Sequence, residues 1–569
     1  MAQQFVYFTQ PSVISQLQTK VGSPFASNVN VASTAVSNLN QYLQSRMTCP
    51  VGTGSNQDLN GIAHHGMFCI GGNAFSNEEV FTSTGVINAQ GTGWTQNHYV
   101  RFASQSKMIG GLVIAKMMEE GYLKPTDYVS QYIPEFTGTA YYCTGGSGSL
   151  GVYGQSYGSY TGYFSSFSLN NVTISHLLGF QFGVPSSEFL TGNSVLSWQT
   201  NAPADWNLNL CYKTCWDALA LGKQLGPAGC FANGNGLRDP SYDNFFKASG
   251  FVYGPITDYV LTLCNCLKAG SVVCTFEPGA IAQGFSGLIV PRAQYGTTLT
   301  LMSYVCQKAL TGSAYSDNLV GYVRDKIFTP IGIDKTLWWG GCETGPDDRF
   351  SQTVQISFRK NEVLCSGPYG TGTTALGYSP NSLVWSSQYP TDSYATTTLP
   401  GIYTIDPPNF NGGLIGRPSM FCKLLKLIIN NGQFTNSEGI TTQVVSRPAV
   451  NWIFNCFGST SQLFEARSYF GTGGPSANQK WCLGFMKQDD SLASSTNNEN
   501  FRNVGVITFP MSPSVAGWGG FFGTSFCIDL VTGYYLMIGY QEQGSGSSVN
   551  FNDWQRITVP LMSYLSRLE

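Results

Sequence analysis

The chain has 569 residues, of which only 11% are charged, and its formal net charge is -3. Because the sequence contains no run of Lys and Arg, it lacks the positive surface that a nucleic acid or an anionic membrane would need, and we expect neither partner. No apolar run reaches the roughly 18 residues that cross a bilayer, so we expect no membrane span.

Sixteen cysteines in a chain rich in small polar residues favour an oxidising compartment, with the protein secreted or lumenal and some cysteines in disulfides. The N-terminal sequence MAQQFVYFTQPSV has neither the basic nor the long apolar region of a signal peptide. Cys306, Cys422 and Cys527 lie in apolar periodic segments, where a buried free thiol is common. The sequence does not fix the connectivity.

The predicted elements begin after a polar N-terminal extension, residues 1–32. Helical spacing of apolar residues predicts a helix over 34–46, and a glycine-bounded apolar run predicts a strand over 61–72. The following helix is apolar on all sides from Met108 to Met118, which is typical of a fully buried helix. Gly121 is placed to end this helix.

A segment rich in Gly, Tyr and Ser, residues 137–168, has no core pattern, and we expect an ordered surface loop or lid there. Helices are predicted over 298–310, 315–332 and 412–432. Two β-rich runs around the Val-Thr-Gly of 531–533 then predict a hairpin, and a helix closes the chain.

Strands near both ends of the chain, with mostly helices between them, predict an α/β (α+β) architecture. One α/β lobe would be built from residues 33–136 and 400–569. The intervening residues, 137–399, would form an inserted, mainly helical lobe with loop-rich insertions.

Metal and cofactor chemistry has little support. The chain has four histidines; His64 and His65 are adjacent and so point in opposite directions on a strand, and neither H-E-x-x-H nor a paired C-x-x-C occurs. Cys264 and Cys266 are better explained as disulfide or core cysteines. No phosphate-binding or complete dinucleotide-binding glycine motif is present either. We therefore expect no metal and no cofactor.

One serine lies in a short motif whose required partners are missing. The sequence GQSYG places Ser156 in a G-x-S-x-G pattern, which requires a preceding buried strand and a later acid and histidine. The only later histidine is His176, and the segment before Ser156 has no strand pattern. A Ser-His-Asp enzyme is therefore disfavoured.

The sequence SQSK offers another nucleophile. Ser104 and Lys107 are three residues apart, so at the start of a helix they share a face and the amine can reach the hydroxyl. A lysine in the first turn of a buried helix opposes the helix dipole, which indicates a functional reason for its presence. A second S-x-x-K, Ser357 to Lys360, is followed by polar residues and is interpreted as a surface segment.

Four segments, found in order from about Gly61 to the C-terminus, resemble the β-lactamase-like serine hydrolases. This superfamily includes class C β-lactamases, D-alanyl-D-alanine carboxypeptidases, D-aminopeptidases, family VIII carboxylesterases and related acyltransferases. The segments are VRFASQSKMIGGLVIAKMMEEGYLKPTDYVSQYIPEF, VTISHLLGFQFGVPS, FEPGAIAQGFSGLIVPRAQYGTTLTLMSYVCQKALTG and GWGGFFGTSFCIDLVTGYY. In the second, Phe180-Gln181-Phe182-Gly183 replaces the family's His-Thr-Ser-Gly turn. The resemblance implies an antiparallel sheet flanked by helices.

The resemblance also implies roles for individual residues. Ser104 would be the acylated nucleophile and Lys107 its proton partner. Tyr295 would be the tyrosine of the family's Tyr-x-Asn motif, with Thr297 replacing the asparagine; the literal Tyr-x-Asn at Tyr242 precedes the FEPG landmark and does not fit the order.

The third family motif corresponds to Trp518-Gly519-Gly520, a form that resembles the esterase branch. With Thr297, these three residues would bind the substrate. The backbone N–H groups of Ser104 and Phe521 would form the oxyanion hole.

The expected function is a carboxylesterase-like serine hydrolase that cleaves a small-molecule ester through an acyl-serine intermediate, with Lys107 and Tyr295 as the acid/base pair. The missing lysine of the third motif argues against β-lactam and peptidyl-D-alanine substrates. Two alternatives remain open: an acyltransferase or amide hydrolase of the same fold, and a catalytically degenerate binding or structural protein.

Overall fold

The computed structural model describes residues within 66–145, 163–184, 260–359, 383–385, 407–459, 479–488 and 501–543, with short gaps inside several of these ranges. The N-terminal extension, the helix predicted over 34–46, most of the Gly/Tyr/Ser-rich segment and the C-terminal helix lie outside them.

The helices occupy the middle of the described chain and recur late in it. They are α1 (Ser106–Glu119), α2 (Ile174–Leu178), α3 (Thr298–Ala309), α4 (Leu319–Val323), α5 (Arg349–Gln352), α6 (Pro418–Ile429) and α7 (Arg447–Ile453). Short 3-10 turns cover Ala103–Gln105, Val129–Gln131, Leu169–Asn171 and Thr329–Ile331, and one π-helical turn covers Arg324–Phe328.

The strands are short, and they are numbered in chain order. The first eleven are β1 (Gly66–Gly72), β2 (Val80–Thr84), β3 (Val100–Arg101), β4 (Thr139–Gly145), β5 (Tyr163–Ser168), β6 (Ile281–Gln283), β7 (Ile289–Pro291), β8 (Leu337–Trp339), β9 (Ser357–Arg359), β10 (Leu383–Trp385) and β11 (Leu414–Gly416). The others are β12 (Gln433–Thr435), β13 (Thr441–Gln443), β14 (Gly458–Ser459), β15 (Gln479–Trp481), β16 (Met486–Gln488), β17 (Phe501–Val504), β18 (Ile507–Pro510), β19 (Val515–Gly520), β20 (Thr524–Asp529), β21 (Tyr534–Gly539) and β22 (Glu542–Gln543).

Eight of these strands form the main sheet, in the order β14-β15-β16-β19-β20-β21-β1-β2, and every neighbouring pair is antiparallel. Strand β1, from early in the chain, pairs with β21, from late in it, with Met67 opposite Gly539. The sheet therefore contains strands from both parts of the chain, and helix α6 packs on β1, β20 and β21. The predicted antiparallel sheet flanked by helices is confirmed, while the division into two lobes remains a prediction.

The predicted hairpin is formed by β20 and β21. Asp529 is opposite Tyr534, and the N–H of Gly533 donates to the carbonyl of Asp529 at 2.8 Å. Gly533 has a φ of 70°, a left-handed conformation that glycine adopts without steric cost.

Helix α1 is the buried helix predicted from the apolar run. Its residues from Ser106 to Ala115 are all buried, and only its last turn reaches solvent, where Lys116 forms ion pairs with Glu119 and Glu120. Gly121, at a φ of 80°, ends it as predicted. The helix contacts α3 and α7, so it lies inside the molecule.

Glycines allow α1 to approach its neighbours closely. A Cβ on Gly110 would lie 2.6 Å from the Cβ of Phe410, and a Cβ on Gly111 would collide with the carbonyl oxygen of Leu483. Gly484, at a φ of 95°, likewise lies against the carbonyl of Lys107. Two separate loops therefore hold the first half of the helix.

The described cysteines give no support to the expected disulfides. Cys306, Cys422 and Cys527 are buried free thiols, as predicted, and no disulfide links the cysteines of the described residues. The Sγ atoms of Cys422 and Cys69 are 3.4 Å apart, between α6 and β1. Burial raises the pKa of the Cys422 thiol well above its ordinary value, which favours the protonated form.

Within the described residues, no helix is long and apolar enough to cross a membrane.

Replacing Gly111 with alanine tests the close approach of α1. The added Cβ meets a backbone carbonyl, which cannot rotate away, so we expect the free energy of unfolding to fall by about 1–3 kcal/mol. This loss exceeds the roughly 1 kcal/mol that alanine gains over glycine in a helix. The control is Gly93→Ala, because a Cβ on Gly93 meets nothing within 4 Å. Denaturant unfolding that gives the same stability for both variants would contradict the packing described.

Glu79 provides a pH-dependent test of the sheet edge. It accepts a hydrogen bond from the Tyr535 hydroxyl at 2.9 Å, and burial raises its pKa above the ordinary 4.5 despite opposing contributions from Tyr535, Lys426 and Lys423. The folded state therefore binds this proton more tightly than the unfolded state. The resulting stabilisation is complete below about pH 4.5 and is lost as the pH rises through the raised pKa.

In Glu79→Gln the amide still accepts the tyrosine hydrogen bond but does not titrate. Denaturant titrations from pH 4 to 8 should show the wild type losing stability relative to this variant as the pH rises. The exposed Glu438→Gln serves as the control. If the difference in the free energy of unfolding between wild type and Glu79→Gln is constant across this range, the burial of Glu79 does not contribute to the pH dependence of stability.

Candidate active site

The site is organised around a tight turn that precedes α1. Ser104 is in the 3-10 turn Ala103–Gln105, and its side chain is half-buried. Ala103 has a φ of 48°, a left-handed conformation that is uncommon for a residue with a side chain. This residue lies between β3 and α1. The N–H of Phe102, just before the turn, donates to the carbonyl of Leu414 on β11 at 3.0 Å.

Lys107 lies one turn further on, and its Nζ is 2.8 Å from the Oγ of Ser104. The same Nζ donates to the backbone carbonyl of Asn411 at 2.9 Å. Lys107 is only 2% exposed. The structure thus brings together the serine and lysine that the sequence selected by their spacing.

The surroundings of Lys107 are unusual for a charged group. The first turn of α1 contains no acidic residue, and the partial positive charge of a helix N-terminus disfavours a cation there. Burial adds a desolvation cost unless acceptors replace the lost water. The two oxygens within 2.9 Å are such acceptors. A serine hydroxyl against a desolvated amine is an arrangement that activates a nucleophile.

The end of β19 lies against the serine turn. A Cβ on Gly520 would collide with the carbonyl oxygen of Phe102 and the hydroxyl of Thr524, and it would lie 3.4 Å from the Cβ of Ala103. The Thr524 hydroxyl donates to the same Phe102 carbonyl at 3.2 Å. The Trp518-Gly519-Gly520 segment is therefore beside Ser104, and the next residue, Phe521, lies outside the described residues.

Trp518 is a core residue, since its side chain is 2% exposed. It packs edge-to-face on Trp481, with ring centroids 5.2 Å apart, and Trp481 packs in turn on Phe180 at 4.5 Å. The indole Nε1 of Trp481 donates to the carbonyl of Leu178 at 3.1 Å. Phe180 has a φ of 55° and begins the Phe-Gln-Phe-Gly turn. These rings join that turn to β19, and the Trp518 indole is packed in the core.

Tyr295 and Thr297 lie outside the described residues, and α3 begins directly after them at Thr298. Their proposed roles remain predictions from the resemblance.

Sequence reasoning missed three polar residues next to Lys107. The side-chain amide of Asn411 donates to the hydroxyl of Thr300 at 3.1 Å, and that hydroxyl donates to the Oδ1 of Asn409 at 3.0 Å. The two asparagines flank Phe410 ahead of a glycine pair, and nothing in that local pattern indicates a contact with a lysine more than 300 residues earlier.

The two described histidines have local structural roles. The Nδ1 of His176 accepts the N–H of Thr173 at 3.2 Å and helps to cap α2, and the Nδ1 of His98 accepts the N–H of Thr95 at 2.8 Å. Burial lowers the pKa of both imidazoles, which favours their neutral forms. His64, His65 and the Ser156 motif lie outside the described residues, which contain no cluster of three metal-binding side chains. In the second S-x-x-K, Ser357 begins a strand, β9, instead of preceding a helix.

Comparison with solved structures defines the fold. Unliganded simvastatin synthase (LovD) from Aspergillus terreus is similar over 95% of this chain and 99% of that chain, with a TM-score of 0.53 and 13% sequence identity. Its LovD6 mutant gives a TM-score of 0.51 at 12% identity, over 95% and 96% of the two chains. EstCE1, described as a hydrolase with promiscuous acyltransferase activity, gives 0.49 at 13% identity, over 95% and 99%. No family model and no curated protein matches the sequence.

The chain has the β-lactamase/transpeptidase-like fold, as the sequence motifs predicted. The turn before its buried helix carries a serine, which is in hydrogen-bond contact with a lysine in the first turn of that helix. The end of a strand of the main sheet lies beside the serine turn.

Gly520→Ala tests the contact between β19 and the serine turn. The new Cβ would force the backbone around Ala103 to move, and a displacement of about 1 Å costs a reactive group about 10²-fold in rate. We expect a fluorophosphonate reagent to label Ser104 at least tenfold more slowly in this variant than in the wild type. Intact-protein mass spectrometry measures the labelling rate. Gly93→Ala is the control for a tolerated added methyl group. Equal labelling rates in the two variants would mean that β19 does not constrain Ser104.

Proposed function

We propose that this protein is a serine acyl hydrolase that cleaves a small-molecule ester through a covalent acyl-Ser104 intermediate. The observation that carries the proposal is the 2.8 Å contact between the Nζ of Lys107 and the Oγ of Ser104, made by a lysine that is 2% exposed. Desolvation disfavours the charged form of an amine, so the environment assists a lysine that must accept a proton.

The first half of the reaction forms the acyl-enzyme. The neutral amine of Lys107 accepts the proton of Ser104 as the Oγ bonds to the acyl carbon, which gives a tetrahedral oxyanion. The bond between the acyl carbon and the leaving oxygen then breaks, and the proton passes to the leaving alcohol. Tyr295 is proposed to share this proton with Lys107.

In the second half, water attacks the acyl carbon and gives a proton to Lys107. The bond between the acyl carbon and the Oγ of Ser104 then breaks, the proton passes to the Oγ, and the acid is released. The backbone N–H groups of Ser104 and Phe521 are proposed to donate to the oxyanion in both steps, each contributing about 3 kcal/mol to transition-state stabilisation. Thr297, Gly519 and Gly520 are proposed to line the substrate, together with the backbone of Trp518.

The sequence of β19 supports a neutral substrate. Trp518 replaces the lysine of the family's third motif, and its indole packs in the core. The position therefore supplies no cation for a substrate carboxylate, which favours esters over β-lactams and peptidyl-D-alanine.

Acyl transfer is the second candidate, because the same acyl-Ser104 would react with an alcohol or amine in place of water. It is supported by the similarity in fold to simvastatin synthase (LovD), because a synthase forms a product instead of hydrolysing one. Amide hydrolysis would use the same acyl-enzyme. Product analysis with competing alcohols and amines separates these reactions.

The nucleophile is tested directly with a fluorophosphonate probe and a short-chain p-nitrophenyl ester. We expect a single adduct on the peptide that contains Ser104, and a fall in turnover of about 10³-fold or more in Ser104→Ala and in Lys107→Met. The control is Ser357→Ala, which removes the serine of the second S-x-x-K and should keep full activity. Turnover that persists in Ser104→Ala would refute the mechanism. Failure of the wild type to react with either reagent would favour a catalytically degenerate binding protein.

A further inference from the structure

Three polar side chains close a ring of hydrogen bonds beside Lys107. The Thr300 hydroxyl accepts from the Nδ2 of Asn411 at 3.1 Å and donates to the Oδ1 of Asn409 at 3.0 Å. The backbone N–H of Asn411 donates to the same Oδ1 at 2.9 Å. Asn411 is therefore fixed at two points, its backbone nitrogen and its side-chain amide.

The carbonyl of Asn411 is the group that contacts the site, because it accepts from the Nζ of Lys107 at 2.9 Å. A peptide group is planar, so the Asn411 carbonyl is oriented together with the N–H of Gly412, which donates to the carbonyl of Asn409 at 3.2 Å. The ring holds the backbone of Asn411 on its N-terminal side. Three residues further on, the N–H of Leu414 donates to the hydroxyl of Ser106 at 3.2 Å, and its carbonyl accepts from the N–H of Phe102.

Residues 409–414 thus join α3 to the serine turn. Thr300 lies in the first turn of α3, which begins at Thr298, and it is fully buried. Leu414 lies at the other end of the segment, against the turn that carries Ser104. The Asn411 carbonyl that accepts from the Nζ of Lys107 lies between these two attachments.

Buried polar groups of this kind are costly unless all of them find partners. Thr300 is 0% exposed and Asn409 is 2% exposed, and apolar residues would fill the same space without a desolvation cost. A helix packed mainly by apolar side chains does not need a hydroxyl at Thr300 for its own stability. The buried polar ring is explained if it positions the Asn411 carbonyl, which accepts from the amine of Lys107.

We propose that Thr300, Asn409 and Asn411 are positioning residues, which aim the Asn411 carbonyl at Lys107 and thereby hold its amine against Ser104. This inference rests on the proposed acyl-enzyme chemistry. The three residues do not touch the reacting atoms; they act through Lys107. Removing the ring should slow the chemical step and leave substrate binding unchanged.

Thr300→Val tests the ring with a side chain of the same shape that neither donates nor accepts. We expect kcat for a p-nitrophenyl ester to fall about tenfold or more with KM unchanged, because misplacement of a reactive group by about 1 Å costs about 10²-fold. Thr300→Ser keeps the hydroxyl and should restore kcat to within about twofold of the wild type.

The matched control is Ser303→Ala. Ser303 is also buried on α3, and its hydroxyl donates to the Thr300 carbonyl at 2.9 Å, so the variant removes one hydrogen bond from the helix but none from the ring. Its kcat should equal that of the wild type even where its melting temperature falls. Equal losses of kcat in Ser303→Ala and Thr300→Val would reduce the ring to a structural role and overturn the proposal.

Asn411→Ala provides a second test that does not alter the buried helix, since it keeps the backbone carbonyl and removes only the side-chain amide. It should lower kcat as Thr300→Val does, and the double variant should be no slower than either single one, because both break the same ring. Additive losses, or an unchanged kcat in both single variants, would overturn the proposal. Persistent turnover in Ser104→Ala is a different result, which refutes the acyl-enzyme chemistry itself.

Discussion

The central constraint in this structure is the placement of an amine where neither water nor the helix dipole favours it. Lys107 is almost fully buried in the first turn of α1, and its Nζ lies within 2.9 Å of the Ser104 hydroxyl and the Asn411 carbonyl. Because a buried amine requires acceptors, the positions of both oxygens become part of the fold. The Ser104 hydroxyl is held by the turn that contains the left-handed Ala103 and that Gly520 approaches closely. The Asn411 carbonyl is held by the segment 409–414.

Local features of the site could be predicted from the sequence. The contact between Ser104 and Lys107 follows from a spacing of three residues at a helix start, which puts both side chains on one face. The extent of α1 follows from an apolar run ended by Gly121, and the hairpin of β20 and β21 follows from two β-rich runs around a turn signal. In each case the atoms that interact are close in the chain, so a short window contains the whole interaction.

Features that depend on distant parts of the chain could not be predicted. The carbonyl of Asn411 reaches Lys107 across more than 300 residues, and a backbone carbonyl leaves no trace in residue identity. The left-handed Ala103 lies in a turn that contacts β11 through Phe102 and β19 through Gly520, two strands that are distant in the chain. The disulfide expectation rested on composition, and no disulfide links the cysteines of the described residues; the free thiols of Cys306, Cys422 and Cys527 were predicted because their apolar segments are local features.

The glycine contacts along α1 have a consequence for how the protein responds to heat. Phe410, which packs on Gly110, lies between the two asparagines of the ring, and Leu483 and Gly484, which pack on Gly111 and Lys107, follow the strand that carries Trp481. The loops that support the site are therefore the same loops that hold the central helix. Thermal motion large enough to displace the backbone of Lys107 from the serine turn must also open the core around α1. Loss of reactivity and loss of the folded state should therefore occur over one temperature interval.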